Sequence, residues 1–312
     1  MKAIRVHAFG GVDALVYEDV PQPVPGDGQV LVRVSAAGVG PWDAWVRSGR
    51  SAIPHPLPLT PGADLAGLVE QVGGSVPFRR GDEVYGVTNE AFEGAYAEYA
   101  VAAATMLARK PQRIGFVEAA SVPVVASTAW QMLFEHGAVD SNKRVLVHGA
   151  AGNVGAYAIQ MAKGVAREVF ATAFHEDVDY VRALGADIVI DVGSTQFESA
   201  ASDVDLVIDT VGGETQRRSF AVLKRGGVLV SSVGAPDQEL AARHAVRAKF
   251  FLVNVTSEGL ERIGRMIDDG QLTTSVGEVM PLSQARAAHE MLAGAPHRRG
   301  KIVLRAEVSQ AK

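Results

Sequence analysis

Residues 144 to 163 read Arg-Val-Leu-Val-His-Gly-Ala-Ala-Gly-Asn-Val-Gly-Ala-Tyr-Ala-Ile-Gln-Met-Ala-Lys, and after four more residues the chain continues Glu-Val-Phe-Ala-Thr-Ala at 168 to 173. Val145, Leu146 and Val147 form an aliphatic run that stops at His148-Gly149, as a strand buried on both faces does. From Val154 the apolar positions change period. Val154, Ala158, Met161 and Val165 stand three or four apart and form one stripe of a helix. Glu168 to Ala173 reads as a second strand. Strand, glycine turn, helix and strand in about thirty residues form the βαβ unit in which a dinucleotide pyrophosphate rests on a helix N-terminus.

Glycine is needed here for backbone access. Phosphate oxygens must come within hydrogen-bond distance of the amides around Gly152, Asn153 and Val154, where a Cβ would obstruct them. Gly155 lets the helix lie close to the strand, and the helix dipole favours the anion. The segment reads Ala150-x-Gly152-x-x-Gly155, so the first glycine of the usual fingerprint is Ala150, with Gly149 just before it. A tight turn that binds nothing is the competing reading of the glycines. The strand before, the helix after and the second strand favour the dinucleotide.

The chain has 312 residues, of which 47% are hydrophobic, enough for two packed cores. No apolar run reaches the ~20 residues that cross a bilayer. The opening Met-Lys-Ala-Ile-Arg enters a strand pattern directly, so a cytoplasmic location is expected. Cysteine is absent, which excludes disulfides, cysteine zinc clusters, iron-sulfur clusters and a thiol nucleophile. The net charge of -5 comes from scattered residues and gives no nucleic-acid surface.

Upstream of the glycine turn the chain is β-rich. Strands are expected at Lys2 to Ala8, Gln29 to Ala37, Leu65 to Val72, Asp82 to Val87 and Ala95 to Val101, with a short helix from Pro41 to Arg47. This pattern suits a small, partly open barrel. Phe116 to Phe134 is helical with a break near Pro123. Beyond the βαβ unit, strands are expected at Ile188 to Asp191, Asp205 to Asp209, Val228 to Val233 and Phe250 to Val253, which completes a six-stranded doubly wound parallel sheet. Helices from Gly259 to Asp269 and Ser283 to Leu292 and a strand from Lys301 to Arg305 return to the first domain. The expected division is 1–118 with 256–312 as one discontinuous domain, and 119–255 as the dinucleotide-binding domain.

Six segments carry a family resemblance: Ala-Ala-Gly-Val-Gly-Pro-Trp-Asp at 36 to 43, Pro-Gly-Ala-Asp-Leu-Ala-Gly at 61 to 67, Gly-Asp-Glu-Val-Tyr-Gly at 81 to 86, Ser-Thr-Ala-Trp at 127 to 130, Asp-Thr-Val-Gly-Gly at 209 to 213, and Arg-Gly-Lys-Ile-Val-Leu at 299 to 304. In order and spacing the chain resembles a medium-chain dehydrogenase/reductase of the zinc-independent quinone oxidoreductase branch. The resemblance implies an α/β fold, a Rossmann doubly wound parallel sheet plus a GroES-like β-barrel domain. In the zinc-dependent branch a cysteine follows the Ala-Gly-Val segment and a His-Glu pair follows the Pro-Gly. Gly40 and Ala63-Asp64 stand there instead, and the neighbouring Asp43, His55 and Asp64 show no paired spacing, so no metal is expected. Such a site suits hydride delivery to a carbon already polarised, in a quinone or a C=C conjugated to a carbonyl.

The quinone oxidoreductases usually carry Asn-Pro-x-Asp where this chain has Gly40-Pro41-Trp42-Asp43. Trp42, Asp43, Arg47 and Tyr85 are candidates for the substrate wall. Plain packing is the alternative for the aromatics, and a helix-surface ion pair for Asp43 and Arg47. No residue declares itself as a proton donor, and the resemblance implies that solvent supplies the proton.

An NAD site places an acid at the end of the second strand, about 20 residues past the glycines. Here that strand ends Thr172-Ala173-Phe174-His175, which leaves room for a 2′-phosphate and a possible donor in His175, although Glu176 and Asp177 follow. NADPH is therefore expected over NADH. The resemblance further implies Thr128 beside the nicotinamide, Val211, Val233 and Gly234 along the sheet's carboxyl edge, Val253 at the carboxamide, and Lys301 in the cleft. It also implies a homodimer formed through an edge strand at Phe250 to Val255. The expected activity is NADPH-dependent, metal-free reduction of a quinone or an α,β-unsaturated carbonyl. The alternative is a dinucleotide-binding redox sensor or structural protein with little turnover.

Overall fold

The computed structural model describes residues 1–306. The chain forms two compact units, one built from Met1–Val124 and the segment from Val255 onward, the other from Val125–Asn254. In chain order the first unit supplies strands β1 (Lys2–Val6), β2 (Leu15–Asp19) and β3 (Gln29–Val39), helix α1 (Pro41–Ser48), strands β4 (Asp64–Val72), β5 (Glu83–Val87), β6 (Tyr99–Ala103) and β7 (Leu107–Arg109), and helix α2 (Phe116–Ala119). Helix α3 (Pro123–Trp130) follows. The second unit then runs β8 (Arg144–His148), α4 (Asn153–Lys163), β9 (Glu168–Ala173), α5 (Val178–Leu184), β10 (Ile188–Asp191), α6 (Phe197–Ala200), β11 (Val204–Asp209), α7 (Gly213–Ser219), β12 (Leu223–Ser231), α8 (Gln238–His244) and β13 (Arg247–Phe250). The chain returns to the first unit with α9 (Ser257–Asp268), β14 (Val276–Pro281), α10 (Ala285–Leu292) and β15 (Lys301–Arg305).

The second unit's sheet has the order β10-β9-β8-β11-β12-β13, and its strand pairs are all parallel. Numbered within the unit this is 3-2-1-4-5-6, the order of one common class of doubly wound sheet; the sequence led to a six-stranded doubly wound parallel sheet, and the structure supplies its order. Leu146, Phe170, Ile190, Val207 and Leu229 from successive strands pack with Phe197 and Phe220 in one buried cluster. Because both faces are covered, the central strands are near-continuous apolar runs.

The sixth strand lies three residues earlier than Phe250 to Val253. Val228 pairs with Arg247 and Ser231 with Phe250, so the ladder selects Arg-Ala-Lys-Phe over the more apolar stretch beyond it. A polar sequence is what an outer strand tolerates.

In the first unit a seven-stranded sheet runs β14-β15-β3-β4-β5-β7, with β6 also on β3. The return of the chain is built into this sheet. Strand β15 pairs antiparallel with β3, Ile302 opposite Val39. Sequence periodicity missed β2, β7 and β14, and placed the strand of Tyr99–Ala103 four residues early, because Ala95 to Glu98 carries the same small alternating residues but pairs only through an isolated bridge from Ala97 to Ala3.

The helical stretch from Phe116 is broken into α2, α3 and a π-helix at Gln131–His136. Pro123 opens α3, a position where its missing N–H costs nothing. The unit boundary falls at 124/125 and not at 118/119. Helix α2 packs on β3 and β4, and the Val124 N–H donates to Asp64 Oδ1 at 2.9 Å, which ties this segment to the barrel.

Tyr85 is fully buried. Its hydroxyl donates to the Leu260 carbonyl on α9 at 2.5 Å, so it belongs to the core and not to an exposed wall. Tyr85→Phe removes one buried hydrogen bond and should lower unfolding free energy by about 1 kcal/mol in a urea titration. An unchanged midpoint would show that the bond to α9 contributes nothing.

Candidate functional site

The second unit carries a cleft of about 680 Å³ at the carboxyl ends of β8, β9, β10 and β11, lined by Gly149, Gly152, Thr172, Phe174, Val192 and Thr210 among others. Parallel sheets of this order bind ligands there. Helix α4 begins beside it. Gly152 is its N-cap, in extended conformation and without a side-chain cap, so no capping side chain covers the first-turn amides of Asn153, Val154 and Gly155. A Cβ on Gly155 would lie 2.2 Å from the Gly149 carbonyl oxygen. Only glycine lets the helix start this close to the strand.

Of the residues named from the sequence, the cleft brings Gly152, Ala173, Phe174 and Val211 together. Ala150 is buried. Val233 and Gly234 follow β12, and Gly234 is joined to α7 by the Gln216 side chain, whose Nε2 donates to its carbonyl at 3.1 Å. Thr128 is buried on α3, and Val253 lies past β13. Both stand outside the lining of this cleft. Lys301 belongs to the other unit. Sequence reasoning did not single out the 193–196 loop, Thr215 or Arg218, all of which line the cleft. Their only signal was proximity to strand ends.

At the end of β9 no acid occupies the ribose position, and Phe174 is exposed. His175 Nδ1 stands 3.2 Å from Asp191 Oδ2, at the end of the neighbouring strand. Asp177 reaches the cleft wall. Arg218 also lines it, but its guanidinium is engaged by both oxygens of Glu198 at 2.6 Å.

Buried polar groups hold the turns that shape the cleft. Asp209 Oδ1 accepts from the Val211 and Gly212 amides at 3.0 and 2.8 Å, and its Oδ2 from Gln216 Nε2 at 2.9 Å. His148 lies beneath. Ser219 Oγ donates to the Thr215 carbonyl, so at 3.0 Å it accepts from His148 Nε2, and Thr172 Oγ1 donates to His148 Nδ1 at 3.0 Å. Both ring nitrogens are thus used by a neutral imidazole. Burial lowers the His148 pKa to about 4.

In the first unit the residues of α1 turn inward. Asp43 is buried and its Oδ2 accepts from the Gly40 amide at 2.8 Å and from the Tyr96 hydroxyl at 2.9 Å. Burial raises its pKa to about 6. Arg47 donates through Nη1 to His289 Nδ1 at 2.8 Å, and the His289 ring packs edge-on against Tyr96, so Asp43 and Arg47 are neither a pair with each other nor exposed on the helix surface. Burial, then the Arg47 charge, lowers the His289 pKa to about 3. Trp42 packs edge-on against Phe92 and Trp45. Lys301 Nζ donates to Asp64 Oδ2 at 2.9 Å, both side chains buried.

The residues around the zinc positions do not fit a metal. Gly40 offers no donor, and Asp64 is occupied by Lys301 and the Val124 amide. His55 is paired with Glu93 at 2.8 Å and Asp43 with Tyr96. Among the described residues no three His, Asp or Glu side chains form a ligand set.

The two buried histidines set a pH dependence. Folded, they titrate at about 4 and about 3; unfolded, each returns to 6.5. The unfolded chain therefore binds more protons below pH 6.5, and folding stability falls as pH falls. Asp43 opposes this between about 6 and 3.8, where the fold holds a proton that the unfolded chain has lost. His148→Gln should flatten the loss of stability between pH 6.5 and 4 by up to about 1.4 kcal/mol per pH unit. Unfolding titrations in urea at several pH values measure it, and parallel curves for the two proteins would refute it.

Comparison with known proteins agrees with this architecture. The family described as "Alcohol dehydrogenase GroES-like domain" matches residues 26–112, and that described as "Zinc-binding dehydrogenase" matches residues 184–304. The chain is similar to the chloroplastic NADPH-dependent alkenal/one oxidoreductase of Arabidopsis thaliana, 36% identical over 97% of this chain and 79% of that one. It superimposes on the quinone oxidoreductase of Coxiella burnetii with a TM-score of 0.91 and 33% identity, covering 98% of this chain and 99% of that one. A mycobacterial protein solved in complex with NADPH matches with a TM-score of 0.86 and 30% identity over 98% and 99% of the two chains. With its 3-2-1-4-5-6 parallel sheet, its discontinuous barrel unit and relatives matched over nearly its whole length, the chain belongs to the medium-chain dehydrogenase/reductase family, in its quinone oxidoreductase branch.

Proposed function

We propose that the protein is an NADPH-dependent oxidoreductase that transfers hydride to a quinone or an α,β-unsaturated carbonyl. The observation that carries this reading is an intact dinucleotide cleft in a chain whose metal-ligand positions hold Gly40 and a lysine-paired Asp64. Relatives named as quinone and alkenal/one oxidoreductases support the same class of acceptor. They favour turnover over a sensor or structural role.

In this reading the amides of Asn153, Val154 and Gly155 hold the pyrophosphate, and Ala173, Phe174 and His175 meet the adenosine ribose. Thr128, Ala150, Val211, Val233, Gly234 and Val253 serve the remainder of the cofactor. Reduced nicotinamide supplies the hydride, and water supplies the proton. The choice of NADPH rests on the missing acid at the end of β9 and on His175, whose Nε2 is left to meet a 2′-phosphate while Asp191 engages Nδ1. The homodimer and the cytoplasmic location belong to the same proposal. Support for the dimer is the outer position of β13, with Phe250 and Leu252 exposed.

Fluorescence titration with NADPH and NADH in parallel, followed by stopped-flow oxidation of the bound cofactor with 1,4-benzoquinone and with 3-buten-2-one, tests cofactor and acceptor together. NADPH should bind the more tightly and be oxidised by at least one acceptor. Tighter NADH binding would overturn the cofactor assignment, and oxidation by neither acceptor would overturn the activity. Gly152→Val, at a backbone conformation any residue adopts, should weaken NADPH binding by at least about tenfold with the unfolding transition little changed. Unaltered binding would remove the glycine turn from the site.

A further inference from the structure

The turn that follows α1 holds polar side chains that the dinucleotide site does not use. Gly49 ends the helix in left-handed conformation, φ 71°, and the Arg50 amide returns to the Trp45 carbonyl at 2.9 Å. Ser51 and His55 follow in the loop beyond. A second turn stands against this loop. Asn89 closes it, its side chain accepting from the Ala91 amide and donating to the Glu93 carbonyl, both at 2.9 Å, and the Gly94 amide ties it to the Thr60 carbonyl at 2.8 Å. All of these residues belong to the first unit.

Between the two turns His55 bonds through both ring nitrogens. Its Nδ1 lies 2.8 Å from Glu93 Oε2 and its Nε2 3.2 Å from Ser51 Oγ. A carboxylate only accepts, so the ring proton sits on Nδ1 and Nε2 presents a lone pair. The Ile53 amide donates to Ser51 Oγ at 3.1 Å, which leaves the serine O–H to donate to Nε2. Hydroxyl, neutral imidazole and carboxylate therefore stand in the order, and with the tautomer, that lets a histidine take the proton of a serine.

The imidazole is 2% exposed, shielded from water that would compete for its lone pair. Ser51 is partly exposed and Ala52 exposed. The relay is dry at its base and open at its hydroxyl. The Ala52 N–H has no partner among the described residues, and the amide that follows a nucleophile is a donor for the oxygen that turns negative during acyl transfer.

We propose that Ser51, His55 and Glu93 form a second reactive centre, in which Ser51 is acylated by small activated esters and passes the acyl group to water. Ser51 is the nucleophile, His55 the general base and Glu93 the positioning residue. Ser51 Oγ bonds to the ester carbonyl carbon as its proton moves to His55 Nε2. The bond to the leaving group then breaks, and that oxygen takes the proton from Nε2. Water adds to the acyl carbon and gives a proton to Nε2, the bond to Oγ breaks, and Oγ recovers the proton. One ester and one water become an acid and an alcohol, with no change of oxidation state. The open setting of Ser51 suits a short acyl group on a good leaving group, whose reaction draws little on binding energy.

The test treats the full chain with p-nitrophenyl acetate and, separately, with phenylmethylsulfonyl fluoride. Mass spectrometry of the digested protein should find the sulfonyl group on Ser51, and Ser51 should label far more slowly in chain unfolded by urea. Ser51→Ala should lower the hydrolysis of p-nitrophenyl acetate by at least about tenfold, and His55→Gln should slow sulfonylation of Ser51 by about a hundredfold. Glu93→Gln should slow it by a smaller factor and Glu93→Asp should restore part of the rate, a pattern that loosening of the loop would not give. Because labelling of the wild type needs no variant, the test stands even if a substitution disturbs the loop. Ser51 left unlabelled in the folded wild type, or labelled no faster than in urea, would overturn the proposal and leave the three residues as a clasp between two turns. Unchanged hydrolysis in Ser51→Ala, or labelling of Ser51 that survives His55→Gln or Glu93→Gln at the wild-type rate, would overturn it as well.

Discussion

The dinucleotide unit depends on the close approach of α4 to the end of β8. The Gly149 carbonyl accepts the Gly152 amide at 3.0 Å, and a Cβ on Gly155 would fall 2.2 Å from the same oxygen. Gly149 itself has φ +67°, and a Cβ there would meet Thr210 Oγ1 at 2.5 Å. The end of β8, the start of α4 and the Thr210 side chain are therefore fitted around one peptide group. A carbon added at Gly149 or Gly155 would push α4 off the sheet, and with it the amides of its first turn.

The apolar sheet positions this turn coarsely, and buried polar groups position it finely. His148, at the last residue of β8, spans from Thr172 on β9 to Ser219 on α7. Asp209 does the same for the loop after β11, accepting two amides and one side-chain N–H. Because every partner is satisfied, these groups lie in the interior without the penalty of an orphaned polar atom. They fix where the loops stand and leave their residues free to face a ligand.

The first unit uses a buried ion pair differently. Lys301 and Asp64 are both 3% exposed, and such pairs add little net stability over an apolar pair, because desolvating both charges offsets their attraction. What the pair provides is placement, an ammonium held by β4 from the first residue of β15. Strands brought together from opposite ends of the chain are needed for it.

The sequence by itself determined the fold class, the strand count of the parallel sheet and the location of the glycine turn. These depend on periodicity and on residue types whose backbone constraints act locally, so a window of about thirty residues around Gly149 to Gly155 was enough. It also located α1 and the terminal strand to within a residue. Tertiary structure decided the rest. The outer strand was set by pairing with β12 and not by apolarity. Tyr85 read as a candidate for the substrate wall, with packing as the alternative, because its burial depends on α9, which is 175 residues away at Leu260. Asp43 and Arg47, four apart on one helix, look like an ion pair, yet each is taken by another buried side chain, Asp43 by Tyr96 and Arg47 by His289. The link from Lys301 to Asp64 spans 237 residues. No local rule encodes such a contact, because its energy comes from burial and geometry that exist only once the barrel has closed.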